Sequence, residues 1–176
     1  MRTAIATGRM SLIALNGAEL DQLLAGARSV AGVSIPSAWL ASDPGEMRMV
    51  SFFAGRLRED PSLFEWRFRL MCDLESHAML GHCGFHDEPH GGMLELGYTV
   101  LAAYRRQGYA TEAIIALMDE ATTEHGVHRF RLAISPTNAP SRALAVKLGF
   151  EVVGDQLDPE DGPELLYERQ WPPTPQ

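Results

Sequence analysis

The chain is short of the features that usually announce a function. Its 176 residues hold two cysteines, Cys72 and Cys83, too few for a disulfide framework. No apolar run approaches the roughly 20 residues of a membrane helix, and the opening MRTAIATGRM lacks the sustained apolar stretch of a secretory signal. A cytoplasmic protein without a membrane partner is therefore expected. The formal net charge of −8 comes without a basic stripe, which argues against nucleic acid as the main partner. Neither G-x-x-x-x-G-K-[ST] nor G-x-G-x-x-G occurs, so a P-loop and a dinucleotide fingerprint are both missing. With no repeat and no internal linker, the reading is one domain over residues 1–170 and a frayed Pro-rich tail, WPPTPQ, over 171–176.

What is present is a regular alternation of elements. A short strand around MSLIAL leads to a helix opened by Asn16, with Glu19 placed to complete a capping box. A second helix begins at Asp43 and Pro44, with Glu46 in the box position, and EDPS stops it. In WRFRLMC, Trp66, Phe68, Leu70 and Cys72 share one face and Arg67 and Arg69 the other, the mark of a half-buried strand. AMLGHCGFH and MLELGYTVL follow as strands. A helix over 108 to about 124 sets Ile114, Ile115, Leu117, Met118 and Ala121 inward. The strand HRFRLAIS then presents Phe130, Leu132 and Ile134. A helix capped by Asn138 and stopped by Gly149 precedes FEVVGDQ and ELLYERQW, two strands joined by LDPEDGP. The pattern is a mixed α/β sheet with helices on both faces.

The stretch AAYRRQGYATEA sits between a strand and a helix. A helix start offers unpaired N–H groups and the positive end of the helix dipole. Gly108 lets a bulky anion approach the backbone, Ala110 keeps the mouth open, and Arg105 and Arg106 supply fork-shaped donors. The spacing suits a pyrophosphate. The alternative is a plain turn, with the arginines in solvent.

The run ELGYTVLAAYRRQGYATEA, followed by RFRLAISPTNAPSRALAVKLGFEVVG, resembles the GCN5-related N-acetyltransferases. RRQGYA is similar to their Q/R-x-x-G-x-G/A turn, the Asn138–Ser141 helix start to their second conserved helix, and KLGF to its close. The resemblance covers roughly residues 8 to 170 and is nearest the branch that includes ribosomal-protein N-terminal acetyltransferases. It implies a mostly antiparallel central sheet of about seven strands with one splayed parallel pair, ELGYTVL and RFRLAIS. It implies acetyl-CoA as cofactor and acetyl donor. The pyrophosphate would lie on the backbone of Arg106, Gln107, Gly108, Tyr109 and Ala110, with Arg105 and Thr111 also binding the cofactor. The pantetheine amides would meet the backbone of Val100 and Leu101, and Asn138 and Ser141 would line the far side. It leaves a homodimer open, although no residue pattern marks an interface.

An amine near pKa 10 must lose a proton before it attacks a thioester. Glu95 is the candidate base, because it shares a strand face with the small Gly97 and Thr99. Many relatives carry a tyrosine seven residues after the helix asparagine; here that position is Ala145. Ser141 is then the nearest acid within the motif. In GHCGFHDEPH, His82, Cys83, His86 and His90 imitate a metal set, but Cys83 alternates away from His82 and His86, which stand about 13 Å apart, so no metal is expected. His82 or His86 could instead border an acceptor pocket. SIPSAW with Trp39, and DPEDGPELLY with Asp158, Glu160, Asp161 and Tyr167, are expected to shape that pocket, and an acidic rim suits a cationic amine. Two functions stand against each other: acetyl transfer to a primary amine, of a protein N-terminus or a small molecule, by direct attack in a ternary complex, and an acyl-CoA-binding sensor or scaffold without catalysis.

Overall fold

The computed structural model describes residues 4–66 and 68–173. Residues 1–3, where the expected domain begins, Arg67 and tail residues 174–176 lie outside the described residues.

Local capping explains where the first helices begin. The Asn16 side chain accepts from the Glu19 N–H, and the Glu19 carboxylate accepts from the Asn16 N–H, both at 3.0 Å, opening α1 (Gly17–Leu24). After a single helical turn, α2 (Trp39–Ser42), Asp43 accepts from the N–H groups of Gly45 and Glu46 to open α3 (Pro44–Glu59). Glu46 does not close the expected box. Its Oε2 lies 2.7 Å from His82 Nε2 and accepts from Trp39 Nε1 at 3.2 Å. A long-range partner in a dry setting has taken the carboxylate from the helix end.

The main sheet has eight strands, in the order β1–β2–β5–β6–β7–β8–β10–β9. These are β1 (Ala4–Ala6), β2 (Met10–Ala14), β5 (Phe68–Asp73), β6 (Met79–Phe85), β7 (Met93–Val100), β8 (Arg129–Ile134), β9 (Glu151–Asp158) and β10 (Gly162–Gln170). A separate two-stranded ribbon pairs β3 (Ser29–Val30) with β4 (Val33–Ser34). The count exceeds the expected seven because β1, at three residues, is too short to show a period of two. All neighbours in the main sheet run antiparallel except β7 and β8. That parallel pair holds only from Met93/Arg129 to Glu95/Arg131, and beyond it the strands separate.

Helices cover both faces. On one side α1 and α3 bury Leu20, Leu23, Val50, Phe53 and Leu57 with Phe68, Leu70 and Cys72. On the other, α4 (Tyr109–His125) and α5 (Ala139–Lys147) pack Ile114, Leu117, Met118 and Ala145 on Met71, Cys83, Leu94 and Phe130. Double cover corrects the half-buried reading of β5. Arg69 is fully buried under α4, with Nη2 3.5 Å from Glu120 Oε1, because no face of this strand meets water. Ile115 is only partly buried and points along the outer side of α4, against expectation. The tail is also less free than its prolines suggest. The Trp171 N–H donates to the His128 carbonyl at 2.9 Å, its ring N–H to Asp119 at 2.7 Å, and Arg169 lies over its ring.

Candidate active site

Where β7 and β8 part, a cleft of about 620 Å³ opens between β7, the turn after it and α5, a volume ordinary for a small-molecule site. Its lining unites Val100, Arg105, Arg106, Gly108, Tyr109, Ala110, Thr111, Asn138 and Ser141 from separate parts of the chain. A groove of about 730 Å³ runs along the outer side of α4 past Ile5 and Ile115, more open to solvent. It gathers far fewer of these residues, so the cleft is the candidate site.

The turn has the backbone that an anion needs. Arg106 at φ +60° and Gly108 at φ +89° are both left-handed, a combination that turns successive N–H groups inward. Gly108 is the N-cap of α4 and supplies no side-chain cap, and Gly108 to Thr111, the helix start, line the cleft. Arg9, which sequence reasoning passed over, braces the turn from β2's side. It ion-pairs with Glu112 at 2.8 Å, donates to the Gln107 carbonyl at 3.0 Å and lies over the Tyr109 ring. Gln107 is absent from the cleft wall, and its side chain folds back onto the Ala103 carbonyl at 3.1 Å. Lys147, from the end of α5, adds a cation to the lining.

The two backbone positions expected for the pantetheine arm differ. Strand alternation turns the N–H and C=O of Val100 toward the parted β8, where Arg105 Nε already donates to the carbonyl at 2.9 Å. The Leu101 N–H donates instead to Leu80 at 2.9 Å, and its carbonyl accepts from Tyr104 at 2.8 Å. Leu101 therefore departs from expectation, since β6 and the next turn have taken its backbone groups. The Val100 amide, the uncapped α4 start and the arginines together fit acetyl-CoA, whose role would be to bring an activated acetyl thioester to the mouth of the parted strands.

On the far wall Asn138 plays both of its roles. Its Oδ1 accepts from the Ser141 N–H at 3.2 Å, capping α5, while both residues line the cleft. Ala145 is fully buried among core residues. Across from Ser141 stands Tyr98. Its hydroxyl is buried and makes no hydrogen bond of ordinary geometry, with the Ser141 side chain its near neighbour. Burial raises its pKa, and the nearby Ser141 side chain offsets part of that effect.

Glu95 occupies the opposite face of β7. Its Oε1 lies 3.1 Å from His86 Nδ1. Gly97 makes this possible, because a Cβ there would stand 2.8 Å from His86 Nε2. The hydrogen bond to Glu95 raises the His86 pKa against the opposing effect of burial, and Glu164 and Asp161 add to the rise. Arg131, opposite Glu95 in the parallel pair, donates through Nε to Glu168 at 3.1 Å. Other expected acceptor residues behave differently. Trp39 is buried beside Phe68 and His82. Tyr167 is buried in the core beneath α5 and accepts from Arg142 at 3.3 Å. Both are packing residues, as their large apolar rings favour. Asp158 accepts from the N–H groups of Glu160 and Asp161 at 2.7 and 2.8 Å, shaping the hairpin turn.

Cys83 faces away from His82 and His86 into the α4-side core, where burial pushes its thiol up to about 12. Among the described residues, Asp87, Glu88 and His90 bring potential ligand atoms within 4.8 Å of one another. Asp87 also reaches Arg56 at 3.8 Å. No helix among the described residues is long and apolar enough to cross a membrane.

Residues 9–151 match the model of the acetyltransferase (GNAT) domain, and the chain belongs to that family. A segment of 81 residues is 31% identical to the uncharacterized N-acetyltransferase p20 of Bacillus licheniformis, covering 46% of each chain. The match thus spans less than half the length of that curated relative. Among solved structures, an acetyltransferase from Agrobacterium tumefaciens superposes with a TM-score of 0.67 at 22% identity, over 96% of this chain and 95% of that one. The ribosomal-protein-S5-alanine acetyltransferase of Vibrio fischeri gives 0.65 at 14%, over 96% of both chains. These likenesses show a shared α/β fold.

Proposed function

We propose that the protein transfers an acetyl group from acetyl-CoA to a primary amine, by direct attack while both are bound. The observation that carries this reading is the opening of β7 from β8 directly upstream of the uncapped, arginine-flanked start of α4. Arg105, Arg106 and the N–H groups from Gly108 to Thr111 hold the diphosphate, and the Val100 amide holds the arm. Asn138 and Ser141 close the far wall. On the other face of β7, Glu95 takes the proton from the incoming ammonium, with His86 beside it as a route to solvent. The acceptor enters past the β9–β10 hairpin, where Asp161 and Glu164 lie near His86 and favour a cationic amine, either a protein N-terminus or a small molecule. The chain acts as one domain over 1–170, in the cytoplasm, with no metal in the reaction and with a homodimer as a compatible assembly. Cysteine plays no part, since Cys72 and Cys83 are both buried.

Release of thiol from acetyl-CoA, followed across a panel of amines and peptide N-termini, tests the reading. Amine-dependent release is expected, and Glu95→Gln should cut its rate by about 100-fold or more with acetyl-CoA affinity little changed. Tight CoA binding without release for any acceptor would favour the sensor reading, to which the buried Ala145 lends its weight.

A further inference from the structure

We infer that Tyr98 donates a proton to the sulfur of the departing CoA, the task for which α5 offers only Ala145 and Ser141; this rests on the cleft being the acetyl-CoA site. Three features of the molecule meet at this side chain.

The first is its position. The β7–β8 ladder ends at Glu95 and Arg131, so an arm entering from the α4 turn can run along β7 only until the strands rejoin. From Leu101 back to Glu95 is six residues, about 20 Å of strand. A pantetheine arm has about the length of four or five extended residues, roughly 15 Å. Its sulfur end therefore falls at the level of Leu96 and Gly97, next to Tyr98 along the strand. The second is direction. Tyr98 alternates with Glu95, Gly97 and Thr99 and lines the cleft itself, on the cofactor's face rather than the acceptor's. The third is the hydroxyl, which is buried in the cleft wall, makes no hydrogen bond of ordinary geometry and has only the Ser141 side chain close by. A buried donor left unpaired costs stability, and a ligand atom that accepts from it removes that cost. Ser141 is the neighbouring hydroxyl, and its N–H is already bound to Asn138.

The step balances simply. As the amine nitrogen bonds to the acetyl carbon it gives up a further proton through Glu95 and His86 to solvent, the C–S bond breaks, and the electron pair passes to sulfur. Sulfur takes the phenol proton, and the phenolate recovers one from water in the open cleft. Because burial raises the Tyr98 pKa, the hydroxyl stays protonated, and so a donor, through the range in which free CoA thiol ionises near 8.5.

The test is binding of CoA against desulfo-CoA by calorimetry at pH 8.5, with the full-length protein and its Tyr98→Phe variant. A hydrogen bond to a charged sulfur should make wild type prefer CoA by about tenfold or more. In Tyr98→Phe that preference should fall to about twofold while desulfo-CoA affinity holds, and Ser141→Ala should keep it. On the unsubstituted protein, the thiol of bound CoA should titrate below its free value, a measurement that survives if the variant fails to fold. In turnover, Tyr98→Phe should lower kcat by about 100-fold with KM for acetyl-CoA unchanged. Equal preference in wild type and variant, or a bound thiol with its free pKa, would overturn the assignment. The binding arm needs no acceptor, so failure to acetylate any amine would count against the proposed activity and leave the Tyr98 result standing.

Discussion

At Gly108 the backbone adopts φ +89°, and the guanidinium of Arg9 lies 3.4 Å from where a Cβ would stand. An aspartate there is strained by roughly 1–2 kcal/mol and sets a carboxylate against the anion site. Gly108→Asp should weaken CoA binding by well over tenfold in calorimetry; unchanged affinity would exclude the turn as the diphosphate site. His86 offers a pH test. Because the bond to Glu95 raises its folded-state pKa, the stabilisation is complete below the unfolded value of about 6.5 and is lost as pH rises through the raised value. The melting temperature of wild type should exceed that of His86→Gln by more at pH 5.5 than at pH 9. A gap independent of pH would show that no proton is linked to the pair. Residues such as Gly108 and Asn138 were legible in the sequence because their roles depend on neighbours a few positions away. Arg9 meets Glu112 across 103 residues and Glu46 meets His82 across 36, and no local spacing reveals such pairs.

Among elements, the contact of β6 with β7 is the most exacting. A Cβ on Gly81 would lie 2.1 Å from the Thr99 carbonyl oxygen, so the two strands approach only because position 81 has no side chain. Gly81→Ala should destabilise the fold by about 1–3 kcal/mol, the usual cost of overpacking, read from the midpoint of urea unfolding. An unchanged midpoint would mean that this ladder is looser than the structure shows. Longer elements could be read from sequence because caps and hydrophobic periods accumulate along them. Asn16, Asp43 and Asn138 each mark a real helix start. Strands of two or three residues, β1, β3 and β4, carry too few alternations to register. Face assignments failed where both sides are covered, as at Arg69, since alternation separates faces without saying which is wet.

For the whole molecule, the decisive feature is the order of parts: a parallel pair that opens, a turn of left-handed residues and an uncapped helix. The order of strands and helices was readable from the chain, and with it the meeting of Val100, Arg105, Arg106, Gly108, Asn138 and Ser141 at one cleft. The face of β7 that carries Glu95 was less so, because His86, Asp161 and Glu164 come near it only after folding. Trp39 and Tyr167, expected at the acceptor pocket, proved to hold the core instead. The central claim is that acetyl-CoA lies with its diphosphate at the start of α4 and its thioester between β7 and β8. A crystal structure of the protein soaked in acetyl-CoA tests it most directly. The account predicts density for the diphosphate against the amides of Gly108 to Thr111, with sulfur within hydrogen-bond reach of Tyr98. Cofactor bound elsewhere, or a cleft closed by its own side chains at saturating acetyl-CoA, would contradict it.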